Sequence, residues 1–280
     1  MKAEDLAGLS RWFAAFVENE RALTAIDPRP MDLKARHTAR VQQEILGIGK
    51  AIGLSGNALL LAEAAALLHD VGRFRQYRLH GTFSDARSVD HARLSEQVIR
   101  EEGILDGLSP REEAIILEAV RLHNRREVPG DLDPETLLHV RLLRDADKLD
   151  IYRIFTGIYS GQEAPDPVLV HLLPDGPEIS PEVVARLAAR RIVPFENVRN
   201  VNDYKLFQVG WIFDVNFPPT WAAIRARGYI QIIFDSLPGS RELSDLRHSI
   251  FAFLDERAGK QEGAGGDTPL PQMGDSRLNP

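Results

Sequence analysis

His69 and Asp70 stand side by side at the end of an apolar run, Leu67-Leu68-His69-Asp70-Val71-Gly72-Arg73. Neighbouring residues on a helix point about 100° apart, so an adjacent imidazole and carboxylate converge on one atom only where the helix ends and that atom lies over its terminus. Gly72 is the expected terminator, since a glycine just past the last periodic residue can take the left-handed conformation that closes a helix. Neutral imidazole nitrogen and carboxylate oxygen are both ligands for borderline or hard divalent cations, and the dyad reads as half of a metal site. The chain has eight histidines and no cysteine. That excludes a disulfide, a thiolate site, a cysteine-ligated iron–sulfur cluster and a cysteine nucleophile, and leaves His, Asp and Glu as the principal metal ligands.

Four histidines, His37, His69, His91 and His123, fall on four separate expected helices, and an Asp-rich helix follows the last. Leu6 to Ile26 carries Leu6, Leu9, Trp12, Phe13, Phe16 and Val17 at helical spacing. A second helix is expected from about Met31 to Ile52, with His37 in its first half and Gly53 as its stop. From Ala58 to Leu68 only Glu63 interrupts the apolar residues, so this helix belongs in the middle of a bundle and its end offers a rigid platform for a site. Arg73 to Phe83 has no clean period and is expected as a loop, with Arg73, Arg75 and Arg78 offering a place for anionic groups. Ser88 is expected to cap a helix that contains Asp90 and His91 and closes at Gly103. Ser109-Pro110-Arg111-Glu112 is a capping box that starts a helix reaching His123, and Glu135 to Tyr159 reads as a long helix bearing Asp145, Asp147 and Asp150. Gly161 to Pro181, with five prolines, reads as a connection that includes the one strand candidate, Val168 to Leu172. After it come a helix from Ser180-Pro181, an aromatic helix from Lys205 to Phe217 stopped by Pro218-Pro219, and helices over 220–227, 229–236 and 240–257. Residues after Arg257 have little apolar content and are expected to be disordered. The fold class is all-α: a helical core over 1–160, a connecting segment and helical extension over 161–257 packed on it, and a tail over 258–280.

The pieces His37-Thr38-Ala39-Arg40-Val41, His69-Asp70-Val71-Gly72-Arg73-Phe74, Ser88-Val89-Asp90-His91-Ala92 and Ala146-Asp147-Lys148-Leu149-Asp150 follow one another along residues 35 to 152. In that order they resemble the HD superfamily of metal-dependent phosphohydrolases, whose pattern is H…HD…D, with two extra histidines in its binuclear members. The segment from Arg73 to His91 also resembles a subgroup with an HD-x-GRF…GTF…SVDHA run, a likeness that names no substrate. The resemblance implies an HD-type helical bundle. It also implies His37, His69, Asp70 and Asp147 as ligands of a first metal, His91 and His123 as ligands of a second, and Asp70 as the bridge. Arg73, Arg75 and Lys148 are candidates for phosphate contact, with His69, Asp70, Arg73 and Lys148 as the catalytic group. Asp145, two residues before Asp147 on a helix, points elsewhere and reads as a solvated or supporting carboxylate. Asp90 reads as a support behind His91. His80 matches no ligand position and reads as a loop residue near the site, while His139, His171 and His248 read as surface or capping groups.

A phosphoester is anionic and repels hydroxide, so a cation has to lower the pKa of water and also neutralise the phosphoryl oxygens; two ions about 3.5–4 Å apart do both. Carboxylates alone would cancel the charge of the ions, whereas histidine leaves it available. The expected activity is hydrolysis of a phosphomonoester or phosphodiester of a small metabolite or nucleotide by metal-activated hydroxide, with two divalent ions drawn from Mn, Mg, Co, Ni and Fe. A mixed-valent di-iron oxygenase on the same six ligands and a non-catalytic metal-binding regulatory module are the alternatives, and the intact ligand set speaks against the second. A net charge of −7 and a pI near 5.7 argue against long nucleic acid as a partner. With 44% apolar residues and a mean hydropathy of −0.22, the composition is that of a soluble globular protein. No run approaches the ~20 apolar residues of a membrane helix, and Met1-Lys2-Ala3-Glu4-Asp5 lacks the layout of a signal peptide, so a cytoplasmic location without membrane contact is expected. The aromatic run from Phe207 to Phe217 is assigned to core or to a homodimer surface, and secondarily to a wall of the substrate cleft.

Overall fold

The computed structural model describes residues 1–164 and 173–259. Among them it contains α-helices and short 3-10 turns and no strand, the all-α class expected. The strand candidate at Val168 to Leu172, His171 and the tail from residue 260 lie outside the described residues. The first seven helices are α1 (Ala3–Ala22), α2 (Arg29–Ala51), α3 (Gly56–Leu68), α4 (Val71–His80), α5 (His91–Glu101), α6 (Pro110–Leu122) and α7 (Pro134–Tyr159). They are followed by α8 (Pro181–Ala188), α9 (Val201–Val209), α10 (Pro218–Ala226), α11 (Tyr229–Asp235) and α12 (Arg241–Gly259). No helix among the described residues is long and apolar enough to cross a membrane.

Helix α3 is the axis. Leu61, Ala64, Leu67 and Leu68 join one core with α1, α4, α5 and α6, while Ala62, Ala65 and Ala66 join a second with α2, α7 and the C-terminal helices. Its all-round apolar surface is thus consumed on both sides. Helix α2 packs along α3 and α7, α4 along α5, and α6 along α7, which brings the ends of α3 and α6 and the middle of α7 to one place. Beyond α7, Trp221, Ile224, Ile230, Ile233 and Phe253 of the C-terminal helices share a core with Leu142, Leu149 and Tyr152.

Local chemistry fixes the boundaries. Ser109 accepts from Glu112 N and the Glu112 carboxylate takes Ser109 N, the reciprocal cap expected for α6. Asp133 caps α7 through Glu135 N and Thr136 N.

Four expectations need correction. Arg73 to His80 is helix, not loop: its arginines are neutralised by distant partners, Arg78 by the buried Glu20 and Arg75 by Glu101, and Gly81 closes it at φ 65. Gly72 is not a terminator but the second residue of α4, where a Cβ would stand 2.5 Å from Ser95 N and 2.8 Å from His91 O, so glycine serves a close helix crossing. The turn that ends α3 is made by His69 and Asp70 themselves, with Asp70 at φ −109, ψ 15. Helix α5 is capped by Asp90, which accepts from Ala92 N and Arg93 N, and not by Ser88, whose hydroxyl is tied to Ser84 O and Gln76. The aromatic helix breaks: α9 stops at Val209, a 3-10 turn runs Gly210–Asp214, and Pro218 opens α10 instead of closing a helix.

Candidate metal centre

Two imidazoles of the centre end helices. His69 follows the last residue of α3 and His123 the last residue of α6; the Nδ1 of each lies against the carbonyl three residues back, Ala66 O at 2.8 Å and Val120 O at 2.7 Å. A carbonyl only accepts, so Nδ1 carries the hydrogen and Nε2 presents a lone pair, while a carbonyl left over at a helix C-terminus is satisfied. The other two are turned by carboxylates. His37, in α2, gives Nδ1 to Asp150 Oδ2 at 2.7 Å, and His91, the first residue of α5, gives Nδ1 to Asp85 Oδ2 at 2.6 Å. Arg40 holds Asp150 in turn, and Arg73 holds Asp85.

All four Nε2 atoms face inward in two pairs. His37 and His69 approach to 3.3 Å, His91 and His123 to 3.0 Å. Asp70 lies between the pairs: Oδ2 is 3.6 Å and 3.5 Å from His37 and His69, Oδ1 is 3.5 Å and 3.8 Å from His91 and His123. Asp147 Oδ1 adds a second carboxylate to the first pair only, 3.1 Å from His37 Nε2 and 3.9 Å from His69 Nε2.

The electrostatics call for a cation. Burial pushes the His123 imidazole down to about 3, helped by the neighbouring His91 and His69, and burial also lowers His69 and His91. The neutral His91 and His123 therefore aim two lone pairs at each other, and Asp70 Oδ1 beside them is buried with no hydrogen-bond donor. Two ligands at about 2.1 Å from one ion and at right angles stand about 3 Å apart, which is the spacing of both pairs. Burial penalises the Asp70 carboxylate, but Lys34, His69 and Arg73 outweigh it and hold its pKa well below the usual carboxylate range. Lys34 Nζ donates to Asp70 Oδ2 at 2.6 Å, an ammonium standing beside the oxygen that faces the first pair. The buried groups His37–His69–Asp70 and Asp70–His91–His123 have the donor set and closeness to hold divalent metal, with Asp70 common to both.

The centre opens into a cleft of about 420 Å³. Its cations are Lys34, Arg73, Arg125, Arg126, Arg144 and Lys148, and the C-terminal segment supplies the opposite wall. Lys148 and Arg144 both bind Asp214, which follows from the 3-10 turn at 210–214; Arg144 also donates to the carbonyls of Leu122 and His123 at the end of α6. Burial and Arg144 lower the Lys148 pKa against the pull of Asp214.

Several sequence expectations change here. The anions that Arg73, Arg75 and Arg78 serve are the protein's own carboxylates, and Arg75 does not line the cleft. Asp85, not Asp90, stands behind His91, since Asp90 is occupied by the cap of α5, Asn124 and Arg125. Asp145 is buried rather than solvated: it accepts from the backbone of Asn216 and Phe217 and from Asn216 Nδ2, fastening the C-terminal wall to α7. His80 ends α4 and is exposed, and His248 is exposed as expected, whereas His139 is fully buried between Glu135 O and Ala58 O. Sequence reasoning gave no role to Lys34, Asp85, Asp150, Arg144 or Asp214. Lys34 and Asp150 each lie three residues from a proposed ligand on the same helix face, a spacing that marks both.

Residues 35–152 match the family model described as HD domain. Searches among curated proteins and among solved structures found no match. The matched span runs from the turn of α2 that carries His37 to the part of α7 that carries Asp147, and all four inward imidazoles lie inside it. Residues 35–152 of this chain thus carry an HD domain.

Proposed function

We propose that the chain is a phosphohydrolase that works with two divalent metal ions and cleaves a phosphomonoester or phosphodiester of a small molecule. The observation that carries this reading is the second histidine pair: two neutral, buried Nε2 atoms 3.0 Å apart beside an unpartnered Asp70 oxygen, at the floor of a cleft rich in cations. His37, His69, Asp70 Oδ2 and Asp147 would hold one ion, and Asp70 Oδ1, His91 and His123 the other. Bound there, divalent ions supply a lowered pKa for coordinated water and neutralisation of phosphoryl oxygens.

The chain's own residues do the rest. Asp85 and Asp150 keep each Nδ1 hydrogen fixed, so their imidazoles present only Nε2 to the floor. Lys34 donates to Asp70 Oδ2 and keeps a positive charge beside that carboxylate. Arg73 gives Nη1 to Asp85, Gln76 and Phe83 O, which orients Asp85, while its Nε stands 3.6 Å from Asp70 Oδ1. Lys148 is held by Asp214 and sets the local potential.

The test is elemental analysis of freshly purified protein, joined to assays of an aryl phosphate and an aryl phosphodiester with Mn, Mg, Co and Ni. Two exchangeable metals with turnover of either ester is the expected result. Two irons with no hydrolysis under any metal would replace this reading with an oxygenase, and a metal-free, inactive protein would replace it with a regulatory module.

A further inference from the structure

Opposite the histidine floor, the cleft is walled by Phe195, Phe207 and Trp211, with Ile151, Ile192 and Pro194 beside them. Phe195 is 44% exposed, the one aromatic among the exposed large apolar side chains of the described residues. The rings form an edge-to-face chain, Phe195 on Phe207 at 5.7 Å and 77°, Phe207 on Trp211 at 5.4 Å and 76°. Behind them Trp211 meets the buried Tyr152 at 5.6 Å, and the Tyr152 hydroxyl is tied to Gln208 O at 2.7 Å. The wall is therefore braced from the core before any ligand arrives.

The charges of the cleft are largely committed. Asp214 holds Arg144 and Lys148, and Asp90 holds Arg125; Arg126, at the rim, has no ion-pair partner among the described residues. A polyhydroxylated group laid on this wall would find hydrogen-bond partners only at its edges, in Asn124, Arg126 and Glu196, and none on the ring faces and branched aliphatics. A flat π-system gains there instead, by offset or edge-to-face packing.

We propose that the organic group of the substrate is an aromatic ring system seated on Phe195, Phe207 and Trp211, and that this wall selects the substrate while the floor handles its phosphate. The inference rests on the phosphohydrolase reading. The test uses full-length, Mn-loaded protein and three probes: 2-naphthylmethylphosphonate, n-hexylphosphonate and inorganic phosphate, with binding followed by calorimetry. The naphthyl compound should bind about ten-fold more tightly than the hexyl compound, the scale of one stacked ring. Trp211→Ala and Phe207→Ala should each remove most of that advantage, Trp211→Phe should keep it, and metal content and phosphate binding should not move. Because Trp211 also packs on the buried Tyr152, the variant Phe195→Ala carries the same test at a ring that is 44% exposed. Equal binding of the hexyl compound, or a loss in the variants that extends equally to inorganic phosphate, overturns the aromatic assignment. Ring-dependent phosphonate binding with no hydrolysis of either 2-naphthyl phosphate or bis(2-naphthyl) phosphate would instead overturn the phosphohydrolase reading and leave the wall standing.

Discussion

His69 and His123 each end a helix and each give their Nδ1 hydrogen to a carbonyl of their own last turn, whereas His37 and His91 give theirs to carboxylates of other segments. Each half of the centre pairs one histidine of either kind, so the same device is built twice, on α2 with α3 and on α5 with α6. The halves differ in charge. Asp147 faces only the first, which thus has two carboxylate oxygens where the second has one. A hard divalent cation gains more where two carboxylates meet it, and the half with fewer keeps more positive charge for an anionic ligand. On the phosphohydrolase reading proposed above, likeness of construction would go with a division of labour: retention in the first half, attraction of phosphate in the second.

The largest effect should come from the residue common to both halves. Asp70→Ala should lose both metals and reduce turnover about a thousand-fold or more, the several kcal/mol that metal polarisation supplies. Metal content and kcat check it, with circular dichroism to show that the helices remain; an active variant would remove Asp70 from the centre. His123→Ala should empty the second half alone, lowering stoichiometry from two to one, and loss of both metals would mean that the halves are not separable. Asp85→Asn and Asp150→Asn should each weaken metal affinity by about 10- to 100-fold, the cost typical of a lost carboxylate behind a ligating histidine. Competitive chelator titration should place the loss in the second half for Asp85 and in the first for Asp150; a loss shared evenly between them would break the comparison.

The smallest effect is in protons. Burial and Lys34 push the His37 pKa down, but hydrogen bonds to Asp147 and Asp150 more than offset them, so its net shift is upward; His91 and His123 are shifted downward by burial. As pH falls, His37 takes up a proton first, and a metal entering the first half has to displace it. Calorimetric titration at about pH 6 in two buffers of different ionisation heat should show proton release on filling the first half and almost none on filling the second. Equal release from both would show that the charge difference between the halves has no energetic weight.

The placing of His37, His69, His91 and His123 on four separate helices was legible from the periodic pattern, whereas the choice of Asp147 among three aspartates of α7, and the grouping of all six residues, came from the resemblance to the HD superfamily. Helix α4 was not legible: its buried face includes Gln76, and its arginines are matched by Glu20, Asp85 and Glu101, partners supplied only by tertiary folding. For the same reason Asp85 was overlooked in favour of Asp90, the nearer residue in sequence but one whose oxygens serve a helix cap. The break at Gly210 was hidden because an aromatic run has the same composition in one helix as in two. Its consequence is functional, since it turns Asp214 toward Arg144 and Lys148.

Gly72 offers no side chain to the centre, yet it sets the distance between the start of α4, where Asp70 is the N-cap, and the first turn of α5, which carries His91. A single added methyl group would meet main-chain atoms, which have no rotamer through which to yield, and would lever the Asp70 carboxylate away from the second pair. In a deep mutational scan this glycine should therefore be as intolerant as the histidines while contributing no chemistry. The most sensitive dimension of the centre is set by bare backbone, a gauge block between two helices.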